Sequence, residues 1–271
     1  VASHEVAIDD KGDVRVTIRQ RTPAEQLATL WPSLRSAMAN HYVGQIARDS
    51  VRLLDNGATP GEIMTEALLA VVDQTDDGVG HDVALAADCL GLALQGQDDQ
   101  RVLPLVTGLA GLSEQTRGRE PLRVAPADRG DLVELIEGEQ LEAAMATAQT
   151  LDPDAARAAM IEAASRHHLG YGHGVIYTQK VFEMIDRTGA TAAAPLLAQL
   201  ARSLTLMTRE DTLPYMRATT RAIDATDLRA LATTERTAGP VTDNLVDRFL
   251  DAEQAPITEA VTAPAVWGSR A

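Results

Sequence analysis

The 271-residue sequence predicts an all-α protein in which one four-helix unit occurs twice, with a short N-terminal β-hairpin or arm before it and extra C-terminal helices after it. Three observations predict this. From residue 23 onward, apolar residues recur at helical spacing. Cap residues followed by proline, the signature of a helix start, occur at Thr59-Pro60 and again at Asp152-Pro153. Finally, GVGHDVALAADCLGLAL at 78–94 lies over GYGHGVIYTQKVFEMID at 170–186 without a gap, at an offset of 92. At that offset Leu105 falls on Leu197, Pro104 is one residue out of step with Pro195, and the two cap-proline pairs are 93 apart.

Residues 1–22 form the arm. Within it, EVAIDDKGDVRVTIR at 5–19 alternates apolar and polar residues on either side of an Asp-Lys-Gly turn. The first helical half spans 23–115. Pro23 begins its first helix, and Pro32 is expected to break that helix from a longer one reaching Leu54. Asn56-Gly57 supply a C-terminal cap and Thr59-Pro60-Gly61-Glu62 a capping box. The helix that follows is expected to run to about Thr75, where Asp76-Asp77-Gly78 ends it. Further helices are expected from Gly80 to Leu94 and from Asp99 to Ser113.

Residues 116–130 lack periodicity and carry Gly, Pro and charge, so they read as a linker. The second half, 131–208, pauses at Gly138 and restarts at Asp152-Pro153 with a helix to His168. After a glycine break come helices from about His173 to Thr188 and from about Thr191 to Thr208. Residues 209–251 read as shorter helices and 252–271, rich in Ala, Pro and Thr, as a frayed tail.

Composition narrows the function. Net charge is −15, which argues against a nucleic-acid partner, since phosphate backbones are met by basic faces. No apolar run reaches 18 residues and no signal peptide is visible, so neither a membrane span nor export is expected. The single Cys89 has no internal disulfide partner, and a reducing cytoplasm is the expected location. Lysine occurs only at 11 and 180, with arginine elsewhere; together with abundant alanine this reads as a high-GC coding bias.

Phosphate loops, HExxH, paired CxxC, nucleophile elbows and the Glu/ExxH pattern of di-iron bundles are all missing. What remains is the placement of histidine. Of six, His81, His167, His168 and His173 lie at or beside the two equivalent glycine breaks. In the second half His173, Tyr177, Lys180 and Met184 share one helix face; in the first, His81, Leu85, Asp88 and Leu92 do. If these stripes meet, His81 approaches His173 and Asp88 reaches Lys180, which pairs polar groups that would otherwise be costly in apolar surroundings.

His81, His168 and His173 are the candidate metal ligands, since imidazole suits iron, copper and zinc, with iron first among them. His81, His173, Tyr177 and Lys180 are the candidate catalytic residues, and Tyr171, Phe182 and Asp88 the candidate substrate contacts. The plainer alternative for the histidines is that each satisfies a carbonyl at a helix start. For Asp88 and Lys180 it is a structural ion pair, and for the aromatics a place in the core.

The segments LGYGHGVIYTQKVFEMIDRTG (169–189) and TREDTLPYMR (208–217) resemble a helical family of questin-oxidase-like proteins and actinobacterial helical domains fused to Rieske iron–sulfur modules. That resemblance, over about residues 30–220, implies an oxygen-dependent tailoring enzyme of secondary metabolism or a partner of one. The Cys-x-His and Cys-x-x-His pairs of a Rieske cluster are missing, which excludes the cluster. LLDNGATPGEIMTEALLA (53–70) resembles the helix–turn–helix of carboxymuconolactone-decarboxylase-like bundles, again without their Cys-x-x-Cys-His motif. The expected function is thus an oxidoreductase-like enzyme acting on a hydrophobic or aromatic small molecule between the halves, as a homodimer or with a redox partner. The alternatives are a non-catalytic helical-repeat binding protein and a cofactor-free isomerase or cyclase.

Overall fold

The computed structural model describes residues 2–227 and 229. Strands β1 (Ala2–Ile8) and β2 (Val14–Gln20) pair antiparallel, with Ile8 opposite Val14 and Ala2 opposite Gln20. The turn is tied by the Asp9 carboxylate, which accepts from the backbone N–H groups of Lys11 and Asp13 at 2.9 and 3.0 Å. The first half then comprises α1 (Pro23–Ala39), α2 (Val43–Asp55), α3 (Pro60–Val71), α4 (His81–Gln95) and α5 (Val102–Gln115). The second comprises α6 (Leu132–Glu137), α7 (Leu141–Ala148), α8 (Pro153–Arg166), α9 (His173–Thr188) and α10 (Ala193–Leu206). Among the described residues none between Gln115 and Leu132 is helical or strand, as expected of the linker.

Pro32 does not break its helix. It lies inside α1, and the chain turns instead at Asn40–Tyr42. A proline removes one N–H and frees the carbonyl four residues back. Here both Pro32 and Ala28 are exposed, so water can satisfy the freed group. The helix predicted to reach Thr75 ends earlier, at Val71, and that predicted to reach His168 ends at Arg166.

The two halves repeat in element order and in turn geometry, each with five α-helices where the sequence suggested four. His41 and Glu139, 98 positions apart, both adopt left-handed φ values, +58° and +55°. Each sits in the same turn: Tyr42 N–H donates to the Ala37 carbonyl at 3.0 Å and Gln140 N–H to that of Leu135 at 2.9 Å. The thirteen residues of α2 against eight in α7 account for the offset falling from 98 there to 93 at the next helix start. At those starts Thr59 and Glu62 form the predicted capping box, and the Asp152 carboxylate accepts from Asp154 N–H. Hydrogen bonds from the Thr59 backbone and hydroxyl hold the Glu62 carboxyl below its ordinary pKa.

One apolar cluster runs through both halves, from Leu34, Met38 and Leu53 to Met160, Leu196 and Leu200. At Gly78 (φ +89°) the loop before α4 presses on α10: a Cβ there would lie 2.3 Å from the Gln199 carbonyl oxygen and 2.8 Å from Ser203 N. Gly78→Ala combines left-handed strain with a backbone clash. We expect it to destabilise by about 2–3 kcal/mol, read as a lower urea midpoint at unchanged slope.

Chain contacts divide the molecule into residues 1–207 and 208–271. In the latter, short 3₁₀ turns at Glu210–Thr212 and Pro214–Met216 precede α11 (Arg217–Asp224), and the Tyr215 hydroxyl donates to the Glu210 carboxylate. The remaining expected C-terminal helices and the tail fall outside the described residues. Among those described, no helix is long and apolar enough to cross a membrane.

Candidate functional site

Two helix starts make the site. α4 opens at His81 after the extended Gly80, and α9 opens at His173 after Gly172, whose φ of +92° suits glycine. The two helices run parallel and in register. His81 meets His173, Asp88 meets Lys180 two turns on, and Arg187 donates to the Ala87 carbonyl at 2.6 Å near the far end. The first two pairs are each 92 positions apart, so each residue faces its own counterpart in the repeat. Parallel packing brings both N-termini, and both imidazoles, to one end.

At that end His81 Nε2 lies 3.0 Å from His173 Nε2, with the rings edge to face at 82°. The outer nitrogens are also engaged. His173 Nδ1 bonds to the Gly170 carbonyl, and the Tyr177 hydroxyl lies 3.2 Å from His81 Nδ1. A carbonyl only accepts, so His173 carries its proton on Nδ1 and its Nε2 is an acceptor when the ring is neutral. The 3.0 Å contact then requires a proton on His81 Nε2. His81 Nδ1 is left as an acceptor, and Tyr177 donates to it. The hydrogen bonds form one directional chain: Tyr177, His81, His173, Gly170 carbonyl.

The electrostatics keep the phenol protonated for this. Burial, reinforced by the negative charge of Asp82, pushes the Tyr177 pKa above its ordinary value. Burial also raises the pKa of Asp82 itself, against the lowering effects of His81, its own backbone N–H and Arg119. Because Asp82 binds its proton more tightly folded than unfolded, its contribution to stability falls as pH rises from the unfolded pKa to the folded one. Asp82→Asn is expected to remove that decline and to lower the titration of one of the four tyrosines, read by phenolate absorbance.

The other predicted residues lie as follows. Lys180 Nζ donates to Asp88 at 2.6 Å and to Glu183 at 3.0 Å, and the hydrogen bond to Asp88 leads in raising the lysine's pKa. Burial pulls Glu183 upward, but the hydrogen bonds of Lys180 and Gln179 and the charges of Lys180 and Arg187 hold it below its ordinary value. Both stripes do not bury alike: Tyr177 and Met184 are buried, whereas Leu85, Asp88 and Leu92 remain exposed along the edge of α4. Tyr171 is 71% exposed in a left-handed conformation.

Phe182 is buried beneath the Arg157 guanidinium, 4.6 Å from its ring centroid, and lines a cleft of about 450 Å³ with Ile161, Ala164 and Val175. This cleft lies between α8 and α9, inside the second half. By helical periodicity it is on the opposite face of α9 from His173 and Tyr177.

The paired Nε2 atoms are spaced as two neighbouring ligands on one metal would be. The donor set stops there. His168 is exposed beside Gly172, and among the described residues no group of three His, Cys, Asp or Glu side chains is placed to hold one metal ion. Of the three candidate ligands, the structure brings His81 and His173 together. Cys89 is buried, and burial followed by the charge of Asp88 raises its pKa, which disfavours the reactive thiolate.

Compared with known proteins, the chain matches no family model, no curated protein and no solved structure. Sequence reasoning missed two parts of the site, Asp82 and the Gly170 carbonyl. The first had a signal, an acidic residue in the first turn of the helix that His81 opens; the second had none, because it depends on a backbone turn.

Proposed function

We propose that the chain is a proton-transfer enzyme acting on a small carbonyl compound, with His81 and His173 as its acid–base pair. The observation that supports this reading is the directional chain in which both outer nitrogens are fixed and the two Nε2 atoms face each other at 3.0 Å. A substrate that opens the Nε2···Nε2 hydrogen bond meets an acceptor and a donor side by side. His173 Nε2 takes an acidic C–H proton while His81 Nε2–H supplies one to the carbonyl oxygen, giving the enol. The proton gained at His173 Nε2 then passes to His81 Nε2, which resets the neutral pair, while Tyr177 stays protonated and keeps its hydrogen bond to His81 Nδ1. Gly170 positions His173, and Tyr177 positions His81.

Exposed Leu85, one turn after His81, and Ile176, beside His173 on α9, suit an apolar or aromatic substrate body. The reaction class is that of a cofactor-free isomerase or cyclase. The oxygen-dependent reading joins it at the same enolate, the electron-rich species that an oxidative step would consume. Oxygen uptake that depends on both histidines would move the conclusion there.

A second reading has a specific observation behind it. His81–His173 and Asp88–Lys180 both join counterpart residues, which is how polar pairs fix helix register without catalysing anything. The two readings part in deuterium oxide. Incubated with a panel of aryl ketones and 1,3-dicarbonyl compounds, the enzyme is expected to wash deuterium into an acidic C–H position of at least one, followed by NMR. No exchange above buffer rate across the panel would leave the register reading in its place.

A further inference from the structure

A second candidate site lies away from the histidines, between the start of α1 and α2. A cavity of about 190 Å³ is lined by Arg21, Gln26, Thr29, Leu30, Ser33, Arg48, Asp49 and Arg52. Three arginines line it in a chain whose net charge is −15, so their grouping runs against the overall composition. Among the described residues that line it, Asp49 is the one carboxylate. It is 1% exposed and fully engaged, accepting from Ser33 Oγ at 2.6 Å and Arg48 Nε at 3.1 Å. Ser33 Oγ in turn accepts from Gln45 at 2.8 Å.

This relay fixes Arg48 at the cavity wall and offsets one of the three positive charges. The other two are not offset. Among the described residues the Arg21 guanidinium donates to the Thr29 hydroxyl, at 3.4 Å, and to no carboxylate, and the Arg52 guanidinium has no hydrogen-bond or ion-pair partner. Neighbouring Glu25 is committed to the α1 cap, accepting from Thr22 N–H at 2.9 Å.

We propose that this cavity binds a dianionic oxyanion, inorganic phosphate or the phosphate group of a small monoester. The uncompensated charge of the lining is two, which a dianion neutralises. Guanidinium forks offer paired N–H donors that match tetrahedral oxyanions, and Gln26 and Thr29 add neutral polar groups at the same wall. The volume is about six times the share of one liquid water. That admits a phosphate with a few attached atoms resting on Leu30. A cationic or neutral ligand would leave the two guanidinium charges unneutralised.

The test is thermal unfolding and calorimetric titration of the full chain with sodium phosphate against sodium chloride at matched ionic strength. Phosphate, and not chloride, is expected to raise Tm by about 2–4 °C at tenfold excess over Kd. Arg52→Gln and Arg21→Gln, each compared with its own phosphate-free melt, are expected to weaken phosphate binding about tenfold. Arg52 is exposed, so its variant keeps the fold. Tighter binding of glycerol phosphate than of phosphate assigns the site to a monoester, and equal or weaker binding to the free anion; either result upholds it. A chloride shift as large as that of phosphate, or unchanged phosphate binding in both variants, overturns it.

Discussion

Replacing His173 with alanine is expected to slow proton exchange into the carbonyl substrate by about 10²–10⁴-fold, the range for a positioned acid–base group. His81→Ala should fall in the same range, because the two act as one unit. The double variant should lose little more than either single one. His81 is exposed and His173 half-buried, so both variants should keep the helical circular-dichroism signal. Tyr177→Phe separates positioning from chemistry: His81 loses its fixed tautomer but remains, and about tenfold of the rate should go with it. If each single variant exchanges at the wild-type rate, the dyad is a register pin and nothing more.

The second large effect concerns stability. Leu105 in α5 and Leu197 in α10 are counterparts in the repeat, 0% and 1% exposed, and belong to the same continuous core. Truncating either to alanine should destabilise by about 2–5 kcal/mol, the cost of lost burial and of the cavity left behind. Because the core crosses from one half to the other, both variants should lower the midpoint of one common transition. Two separate transitions, each sensitive to one variant, would mean that the halves fold as independent bodies.

How much of this was legible depended on whether a feature lies on a periodic face. His81, His173 and Tyr177 could be brought together from sequence because the ungapped repeat fixed which residues are counterparts and the helical spacing fixed which share a stripe. Asp88 and Lys180 followed from the same two facts. Pro32 misled, because a proline's effect on a helix turns on whether its freed carbonyl reaches water, which spacing does not reveal. Asp82 sits one position off the His81 stripe, and its neighbour Arg119 comes from the aperiodic linker. His168 is grouped with the other histidines by its place in the chain, and it lies exposed beside Gly172. The apolar cleft at Phe182 belongs to the far side of α9, and a list of neighbouring aromatics does not say which side each one takes.

The register of α4 against α9 has a consequence for how such a protein can come about. Where residues face their own counterparts, as His81 and His173 or Asp88 and Lys180 do, a dimer of two identical short chains must be self-complementary at those points of the seam. Two histidines satisfy that, one donating and one accepting, and so would two leucines. An aspartate facing a lysine does not, since identical chains would place aspartate against aspartate or lysine against lysine, with like charges opposed. The present seam is open only to two copies that have diverged from each other, and joining them in one chain allows that divergence. The same freedom lets one imidazole take a tyrosine as its neighbour and the other a backbone carbonyl, so that a symmetric contact acquires a direction.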